Sequence, residues 1–387
     1  MSNLKNSSTD LKSETTQPST STEASSPLQP GSNRRSFLKR GMVAGAAAVA
    51  GAGILSRAVP AFAEKGDDEN NAASITSGDI AILRFLAAAE LIETDLWQQY
   101  AELGGVTEGK QNPYQKALQN LDGDGSQYIT SNTLDEQSHA EFLNAYLISK
   151  GAEPVDFDAF RTLPSSQATG AQQIGRLTNI MNLTVDTSWY TRYRSVKNPD
   201  FAATFPQAID LVNVTGIPRT DADFGPPHHI QAIANTAAFH FGTIEQGGST
   251  LYSAMVQKAS SLEVLRIVVS IGGDEVAHFL EWVDFAGNGV QPPVAPFIDP
   301  VSGLTFPNFD ATPNPALQTN LIFPIPCEFI SPDLPRCAVI RPTSPKGIAM
   351  GVVNFLTAMG LFMGQSPEFT KVLKKLASQA DAAHRGF

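Results

Sequence analysis

The sequence predicts a mainly α-helical protein, organised as a four-helix bundle with a long crossover insertion and a proline-rich C-terminal extension. Four stretches place apolar residues at helical spacing, at about 77–102, 133–150, 229–258 and 262–286. Only Ser260 and Ser261 separate the last two stretches, so we expect them to pack as antiparallel neighbours. The second and fourth stretches each contain a Glu-x-x-His motif. The chain therefore predicts two helix pairs with polar groups at matching positions.

Polar residues precede the first two predicted helices, and glycines follow them. Short polar side chains cap exposed backbone N–H groups at the start of a helix, and glycine accepts the backbone conformation at its end. The predicted N-caps are Ser77 or Asp79 for the first helix and Ser131 or Asn132 for the second. Glycines at 104–105 and at 151 mark the predicted ends.

The connection between the two helix pairs is long. Residues 152–228 exceed the length of a simple crossover, and one extra helix is predicted at about 171–193. The bundle with this insertion is therefore predicted to occupy residues 77–287.

Residues 290–387 form the predicted C-terminal extension. Many of the 26 prolines fall within 290–345, which favours irregular chain with short strands. A helical part is predicted over 346–383. It includes the uncharged run 347–364, which predicts a helix buried in the protein or in a subunit interface, with a membrane tail anchor as the alternative.

The first 63 residues differ in charge from the rest of the chain. Seven basic and three acidic residues give them a charge of +4, whereas residues 64–387 carry −15. Residues 1–32 are rich in Ser and Thr and poor in large apolar side chains, which predicts disorder. Arg34 and Arg35 then precede Phe-Leu-Lys, a weakly apolar run and a closing Ala-Phe-Ala. This order is typical of a signal peptide.

The paired arginines resemble the twin-arginine export signal, which a receptor reads as an address. We therefore expect the twin-arginine export machinery to bind residues 1–63, cleavage near Ala63, and a periplasmic or otherwise exported product. Because this route moves folded proteins, often with a cofactor already bound, the leader favours a metal or redox cofactor.

Composition excludes several classes of protein. The net charge of −11 argues against a nucleic-acid partner, which usually meets a basic face. Two cysteines are too few for a disulfide scaffold or a four-thiolate metal site. Cys327 and Cys337 lie in a proline-rich segment of a chain expected to be exported, so a disulfide between them is predicted, with two buried thiols as the alternative.

Two Glu-x-x-His motifs carry the predicted chemistry. They place Glu136 with His139 and Glu275 with His278. Residues three apart lie on one face of a helix, so each carboxylate and imidazole can reach the same ion.

A lone glutamate lies in the helix that precedes each motif. Glu90 follows three alanines, and Glu245 follows Phe-Gly-Thr-Ile. An ionised carboxylate facing an apolar bundle core costs several kcal/mol unless a partner offsets it. A cation shared by the four glutamates would supply that partner, whereas the alternative is that they are surface carboxylates beside hydrogen-bonded histidines.

The order Glu, Glu-x-x-His, crossover, Glu, Glu-x-x-His resembles the ferritin-like superfamily of di-iron or di-manganese four-helix bundles. The leader and layout are most similar to exported ferritin-like proteins related to the desiccation-associated group. The resemblance implies two iron or manganese ions, with Glu90 and Glu245 as terminal ligands and Glu136 and Glu275 bridging the ions. His139 and His278 would each complete one coordination sphere. Glu93, one turn after Glu90, is the rival first ligand.

The resemblance implies oxidoreductase-type chemistry with a small oxidant, dioxygen or peroxide, of the ferroxidase, oxidase or manganese catalase-like type. The alternative is a non-enzymatic protective protein of stress or desiccation that retains the bundle. Iron storage in a hollow shell is a third hypothesis, and a homo-oligomer is left open.

Other polar clusters are set aside. Residues 122–126 resemble the start of a calcium loop, but Gln127 and Thr133 stand where that loop needs Gly and Glu, so a turn is predicted. His228, His229 and His240 are expected to be ordinary core or surface histidines, with accessory metal binding as the alternative.

Overall fold

The computed structural model describes residues 75–193, 205–309, 324–327, 330–339 and 345–386. Four long helices dominate it, which confirms the mainly helical bundle. They are α1 (Ser77–Gly104), α3 (Gly125–Ser149), α5 (Pro227–Met255) and α6 (Leu262–Asn288). Helix α1 packs along α3 and helix α5 packs along α6, so the chain forms the two predicted helix pairs. The leader 1–63, with its expected cleavage near Ala63, lies outside the described residues.

The caps of the first two helices differ from the prediction. Thr76 caps α1 by accepting a hydrogen bond from the Asp79 backbone, while the Asp79 carboxylate accepts one from the Thr76 backbone. Asp79 therefore completes the cap from inside the helix. Helix α3 begins at Gly125, before the predicted caps, because Ser131 and Asn132 continue the helix and use their side chains elsewhere.

The short helix α2 (Pro113–Gln119) connects α1 to α3 and packs against α5. Asn112 caps it in a reciprocal pair with Gln115, and Pro113 occupies the first helical position, where no backbone N–H is needed. The predicted end of α1 at glycines 104–105 is confirmed.

Most of the extra helix predicted at 171–193 is absent, and that prediction is wrong. Only α4 (Ser188–Arg192) is helical there. The backbone N–H of Thr178 donates to Asp95 and that of Asn179 donates to the Leu361 carbonyl, so neither is available for a helical hydrogen bond. Strands β1 (Leu183–Val185) and β2 (Leu211–Val214) form an antiparallel pair within the insertion.

The C-terminal extension contains short antiparallel strand pairs, as expected from its prolines. Strand β3 (Phe297–Ile298) pairs with β4 (Thr305–Phe306), and β5 (Pro324–Ile325) pairs with β6 (Cys337–Ala338). Cys327 is buried and Cys337 is exposed, and both keep their thiols. The predicted disulfide is therefore wrong, and the alternative of two buried thiols holds only for Cys327.

Two helices replace the single helical part predicted over 346–383. They are α7 (Ile348–Ala358) and α8 (Pro367–Ala382). Helix α7 ends after Ala358 because Gly360 takes a φ of 87°, a left-handed conformation that glycine readily adopts. Among the described residues, no helix is long and apolar enough to cross a membrane. Helix α7, which contains most of the uncharged run 347–364, packs on α8 and α5, and α8 packs on α1.

Candidate metal centre

The four long helices bring the six predicted site residues into two overlapping groups. Each of the four glutamates is fully buried, and the two histidines are 8% and 6% exposed. The groups share Glu136, and in each of them the possible ligand atoms lie within 4.8 Å of one another. The first group is Glu90, Glu136, His139 and Glu275; the second is Glu136, Glu245 and His278.

The first group surrounds Nδ1 of His139. This nitrogen lies 3.2 Å from Glu136 Oε2, 3.4 Å from Glu90 Oε2 and 3.7 Å from Glu275 Oε1. Three carboxylates on three helices therefore converge on one imidazole nitrogen.

The second group surrounds Nδ1 of His278. This nitrogen lies 3.0 Å from Glu136 Oε1 and 3.3 Å from Glu245 Oε2. The two oxygens of Glu136 thus face different imidazoles, whose ring centres are 6.4 Å apart. Glu136 occupies the position expected of a bridge, whereas Glu275 lies with the first group only.

An aspartate lies behind each imidazole, on the side away from the glutamates. Nε2 of His139 is 3.2 Å from Asp274 Oδ2, and Nε2 of His278 is 3.4 Å from Asp135 Oδ2. Each aspartate immediately precedes the glutamate of the opposite motif. This contact directs Nδ1 of each ring toward the buried glutamates, because a ring nitrogen that donates to a carboxylate fixes the orientation of the other.

Electrostatics at these residues are dominated by burial and by the crowding of carboxylates. Burial and the charge of Glu245 raise the pKa of Glu136 to about 7, against the lowering effect of both imidazoles. Burial and neighbouring carboxylates raise the pKa of Glu275 well above its usual value. Burial lowers the pKa of His139, but hydrogen bonds to Asp274, Glu136 and Glu90 raise it overall to about 12. The carboxylates can therefore stay ionised only beside a positive group, which is either an imidazolium or a bound cation.

Two further side chains touch the glutamates. Asn132 Nδ2 donates to Glu136 Oε1 at 2.8 Å and to Glu245 Oε1 at 3.2 Å. The Tyr252 hydroxyl donates to Glu90 Oε1. The sequence predicts Asn132 only as a possible cap, and the only local signal for Tyr252 is an aromatic residue seven positions after Glu245.

A family model for the ferritin-like domain matches residues 78–281, which spans more than half of the chain and all six of these residues. The chain belongs to the ferritin-like domain family. Neither a curated protein nor a solved structure matches it.

The donor set of this ferritin-like chain suits a metal ion. Both oxygens of Glu275 are buried and have no hydrogen-bond partner among the described residues, and the buried Oε2 atoms of Glu90 and Glu245 face only an imidazole nitrogen, at 3.4 and 3.3 Å. Leaving a buried charged oxygen without a partner is costly, and a cation would remove that cost. Carboxylate and imidazole ligands without thiolate are compatible with iron or manganese.

Glu93, the rival first ligand, lies outside both groups of this ferritin-like centre. Burial and the charges of Glu136 and Glu90 raise its pKa well above the usual value. Its side chain lines a cavity of about 20 Å³ whose other walls are largely apolar, between α1, α5 and α7. Glu90 therefore has the contacts expected of the first ligand, and Glu93 lies beside it.

The polar clusters set aside from the sequence lie elsewhere in the fold. His229 contacts Asp299 at 3.0 Å and Asp223 at 3.3 Å, and His240 contacts Tyr100. Neither histidine joins a described group of potential metal ligands, nor does His228. Residues 122–124 form a turn that leads into α3 at Gly125.

Proposed function

We propose that the chain binds two iron or manganese ions and reacts with dioxygen or peroxide. The observation that carries the proposal is the position of Glu136, whose two oxygens face the imidazoles of His139 and His278 at 3.2 and 3.0 Å. A carboxylate in that position can be shared by two adjacent ions. His139, Glu90 and Glu275 would hold one ion, and His278 with Glu245 would hold the other.

Two bound ions would supply redox chemistry, passing electrons to the oxidant from a reductant such as ferrous iron or a second peroxide. The residues of the chain would hold and orient the ligands. Asn132 and Tyr252 orient the carboxylates by hydrogen bonds, and Asp135 and Asp274 orient the imidazoles. Because the glutamates are fully buried, water is excluded and electrostatic interactions within the cluster are strong.

Metal analysis of full-length protein from its native host tests this proposal. We expect two equivalents of iron or manganese per chain, and loss of most of that metal in the Glu136→Ala/Glu275→Ala variant. Glu141→Ala is the matched control, because Glu141 is an exposed glutamate of the same helix α3. Its metal content should equal that of the unmodified protein.

The protective, non-enzymatic alternative makes the opposite prediction for the same experiment. Well-folded protein without bound metal would support it and would refute the dinuclear proposal. Metal binding without any consumption of dioxygen or peroxide would retain the site but refute the proposed reaction.

We also propose that the chain is exported by the twin-arginine machinery. The support is the order of Arg34-Arg35, the weakly apolar run and Ala-Phe-Ala at 61–63. Replacing both arginines in the full-length chain, as Arg34→Lys/Arg35→Lys, should leave the uncleaved protein in the cytoplasm. Unchanged export of that variant would exclude the twin-arginine route without affecting the metal proposal.

A further inference from the structure

A row of buried aromatic side chains leads away from the candidate centre. It begins at Asn132, whose Oδ1 accepts a hydrogen bond from Trp282 Nε1 at 2.7 Å while its Nδ2 donates to Glu136. The indole of Trp282 stacks on Trp97, with ring centres 5.3 Å apart and planes 25° from parallel. Trp97 in turn lies 5.8 Å from Tyr100. Consecutive rings are therefore close enough to be in contact.

Phe241 fills the angle between the last two rings of this row. It stacks on Trp97 with ring centres 4.8 Å apart and meets the edge of Tyr100 at 4.6 Å. Trp282, Trp97, Tyr100 and Phe241 are all fully buried. Close packing of this kind keeps water out and holds the rings in one arrangement.

The row ends in a hydrogen-bonded pair of neutral groups. The Tyr100 hydroxyl lies 2.8 Å from Nδ1 of His240, and both residues are fully buried. Burial lowers the pKa of His240 to about 3 and raises the pKa of Tyr100 well above its usual value. At neutral pH the pair is therefore a phenol beside an uncharged imidazole, which can accept a proton.

Packing alone does not account for this pair. Nε2 of His240 is buried without a hydrogen-bond partner among the described residues, which is a cost to stability. Phe85 holds the matching place in α1, five residues before Glu90 as His240 is five residues before Glu245. Phenylalanine is thus compatible with that position in a buried helix of this bundle, and the imidazole adds an acceptor where packing requires none.

We propose that Trp282, Trp97 and Tyr100, together with His240, form a one-electron relay between the candidate centre and a tyrosine that can be oxidised. In the step proposed, Tyr100 loses one electron through Trp97 and Trp282. Its O–H bond breaks and the proton moves to Nδ1 of His240, leaving a neutral tyrosyl radical beside an imidazolium. The electron goes to a peroxide held at the centre, whose O–O bond breaks when it takes this electron, a second electron that the bound ions would supply, and two protons from solvent, giving two molecules of water. This direction of transfer therefore rests on the proposed function.

The relay can be tested without any oxidant at the centre. An ultraviolet flash removes an electron from tryptophan, and the full-length protein as purified has three tryptophans. Replacing the third, as Trp189→Phe, confines the radical to Trp97 and Trp282. In that background we expect the absorbance of the indolyl radical to give way to that of a tyrosyl radical. If that background variant folds poorly, the same flash on the unmodified chain and on Tyr100→Phe gives the relay as their difference.

Single substitutions identify the tyrosine that carries the radical. Tyr100→Phe should abolish the tyrosyl signal, whereas Tyr128→Phe is the matched control because its ring lies 6.5 Å from Trp282 on the other side. His240→Phe should slow the transfer at least about tenfold, equivalent to a barrier higher by ~1.4 kcal/mol, because the proton loses its acceptor. Persistence of the signal in Tyr100→Phe, or its loss in Tyr128→Phe, would overturn the relay.

A second measurement tests the direction of transfer in metal-loaded protein. Peroxide is added, the sample is frozen, and the tyrosyl radical is measured by electron paramagnetic resonance. A radical in the unmodified chain that disappears in Tyr100→Phe supports the relay. Peroxide consumption with no tyrosyl radical refutes the relay and leaves the proposed function intact, whereas absence of bound metal refutes the proposed function and leaves the flash result standing.

Discussion

The two helix pairs carry the same three candidate ligands but differ at the positions beside them. Counted from the lone glutamate, Gly248 of α5 matches Glu93 of α1, and Tyr252 matches Trp97. Counted from the motif glutamate, Asn132 of α3 matches Ile271 of α6. The repeated pattern therefore covers the groups proposed to touch metal and the aspartate before each motif glutamate, whereas these other neighbouring positions differ between the pairs.

The groups that orient each candidate ligand come largely from the opposite pair. Tyr252 of the second pair donates to Glu90 of the first, and Asn132 of the first pair donates to Glu245 of the second. In the same way, Asp274 of the second pair contacts His139 of the first, and Asp135 of the first pair contacts His278 of the second. Neither pair would hold its ligands correctly alone, so the centre depends on correct packing of all four helices.

Of these positions, Gly248 of the second pair should show the largest effect of substitution on metal binding and stability. A Cβ at Gly248 would lie 1.9 Å from Glu275 Oε2, so Gly248→Ala must displace that carboxylate. We expect loss of metal from the first group and a free energy of unfolding lower by about 1–3 kcal/mol, as for other overpacked cores.

The adjacent glycine provides the control for that variant. A Cβ at Gly247 meets nothing within 4 Å, so Gly247→Ala should keep its metal and gain roughly 0.5–1 kcal/mol from the better helix former. Metal analysis and denaturant unfolding measure both variants. Equal behaviour of the two would show that Glu275 does not need the space beside Gly248.

Substitution of Asp274 or Asp135, the aspartates behind the imidazoles, should have the next largest effect on metal binding. Asp274→Asn and Asp135→Asn each weaken the shortest contact behind one imidazole, and Asp274 Oδ2 also lies 3.7 Å from Nε2 of His278. Residues in this role typically change metal affinity about 10- to 100-fold. Because the two contacts are 3.2 and 3.4 Å, the two variants should lose affinity to a similar degree. Asp284→Asn, an exposed aspartate of α6, is the control in a competition titration with a chelator. A large effect of only one variant would break the equivalence of the two pairs.

Substitution of Tyr252, whose matching position in the first pair is Trp97, should have a smaller effect on stability. Tyr252→Phe removes the hydrogen bond to Glu90 and keeps the ring. We therefore expect the free energy of unfolding to fall by about 1 kcal/mol. Tyr146→Phe removes an exposed hydrogen bond to Glu263 and should change stability much less. Thermal unfolding of both variants decides whether the buried hydroxyl orients Glu90, and equal stabilities would mean that it does not.

The sequence predicts the four helices well because each has a long stretch of apolar residues at helical spacing. It also singles out six candidate ligands that the fold brings together, because their spacing lies within single helices. Asn132 and Tyr252 could not be predicted in their roles, since their partners Glu245 and Glu90 are 113 and 162 residues away. Asn132 also resembles a helix cap, because a short polar residue before an apolar run gives the same local signal inside a helix as at its start.

The segment predicted as a helix at 171–193 shows the same limit in the fold. Its apolar residues have a helical spacing, but the backbone at Thr178 is held by Asp95, a buried residue of α1. Contacts with distant elements override local propensity there. Local pattern therefore predicts the elements that contribute ligands, and it fails where the chain is shaped by a partner far along the sequence.

The smallest effect at neutral pH is expected at His240, where the first pair has Phe85. The pKa of His240 in the folded chain is lowered by burial to about 3, against roughly 6.5 when unfolded. Between these values the unfolded chain binds the extra proton, so stability falls on acidification by up to about 1.4 kcal/mol per pH unit. His240→Phe lacks this contribution and should gain stability relative to the unmodified chain as the pH drops from about 6.5 toward 4.

Unfolding curves measured at several pH values separate this titration from the lost hydrogen bond to Tyr100. Loss of that bond shifts the variant by a constant amount, whereas the titration changes the difference between the two proteins with pH. Above about pH 7 the difference should be constant, because the imidazole is neutral in both the folded and the unfolded chain. A difference that stays constant down to pH 4 would mean that His240 takes up its proton in the folded protein as readily as in the unfolded chain. At acidic pH the second pair would then contain a buried cation where the first contains a phenyl ring.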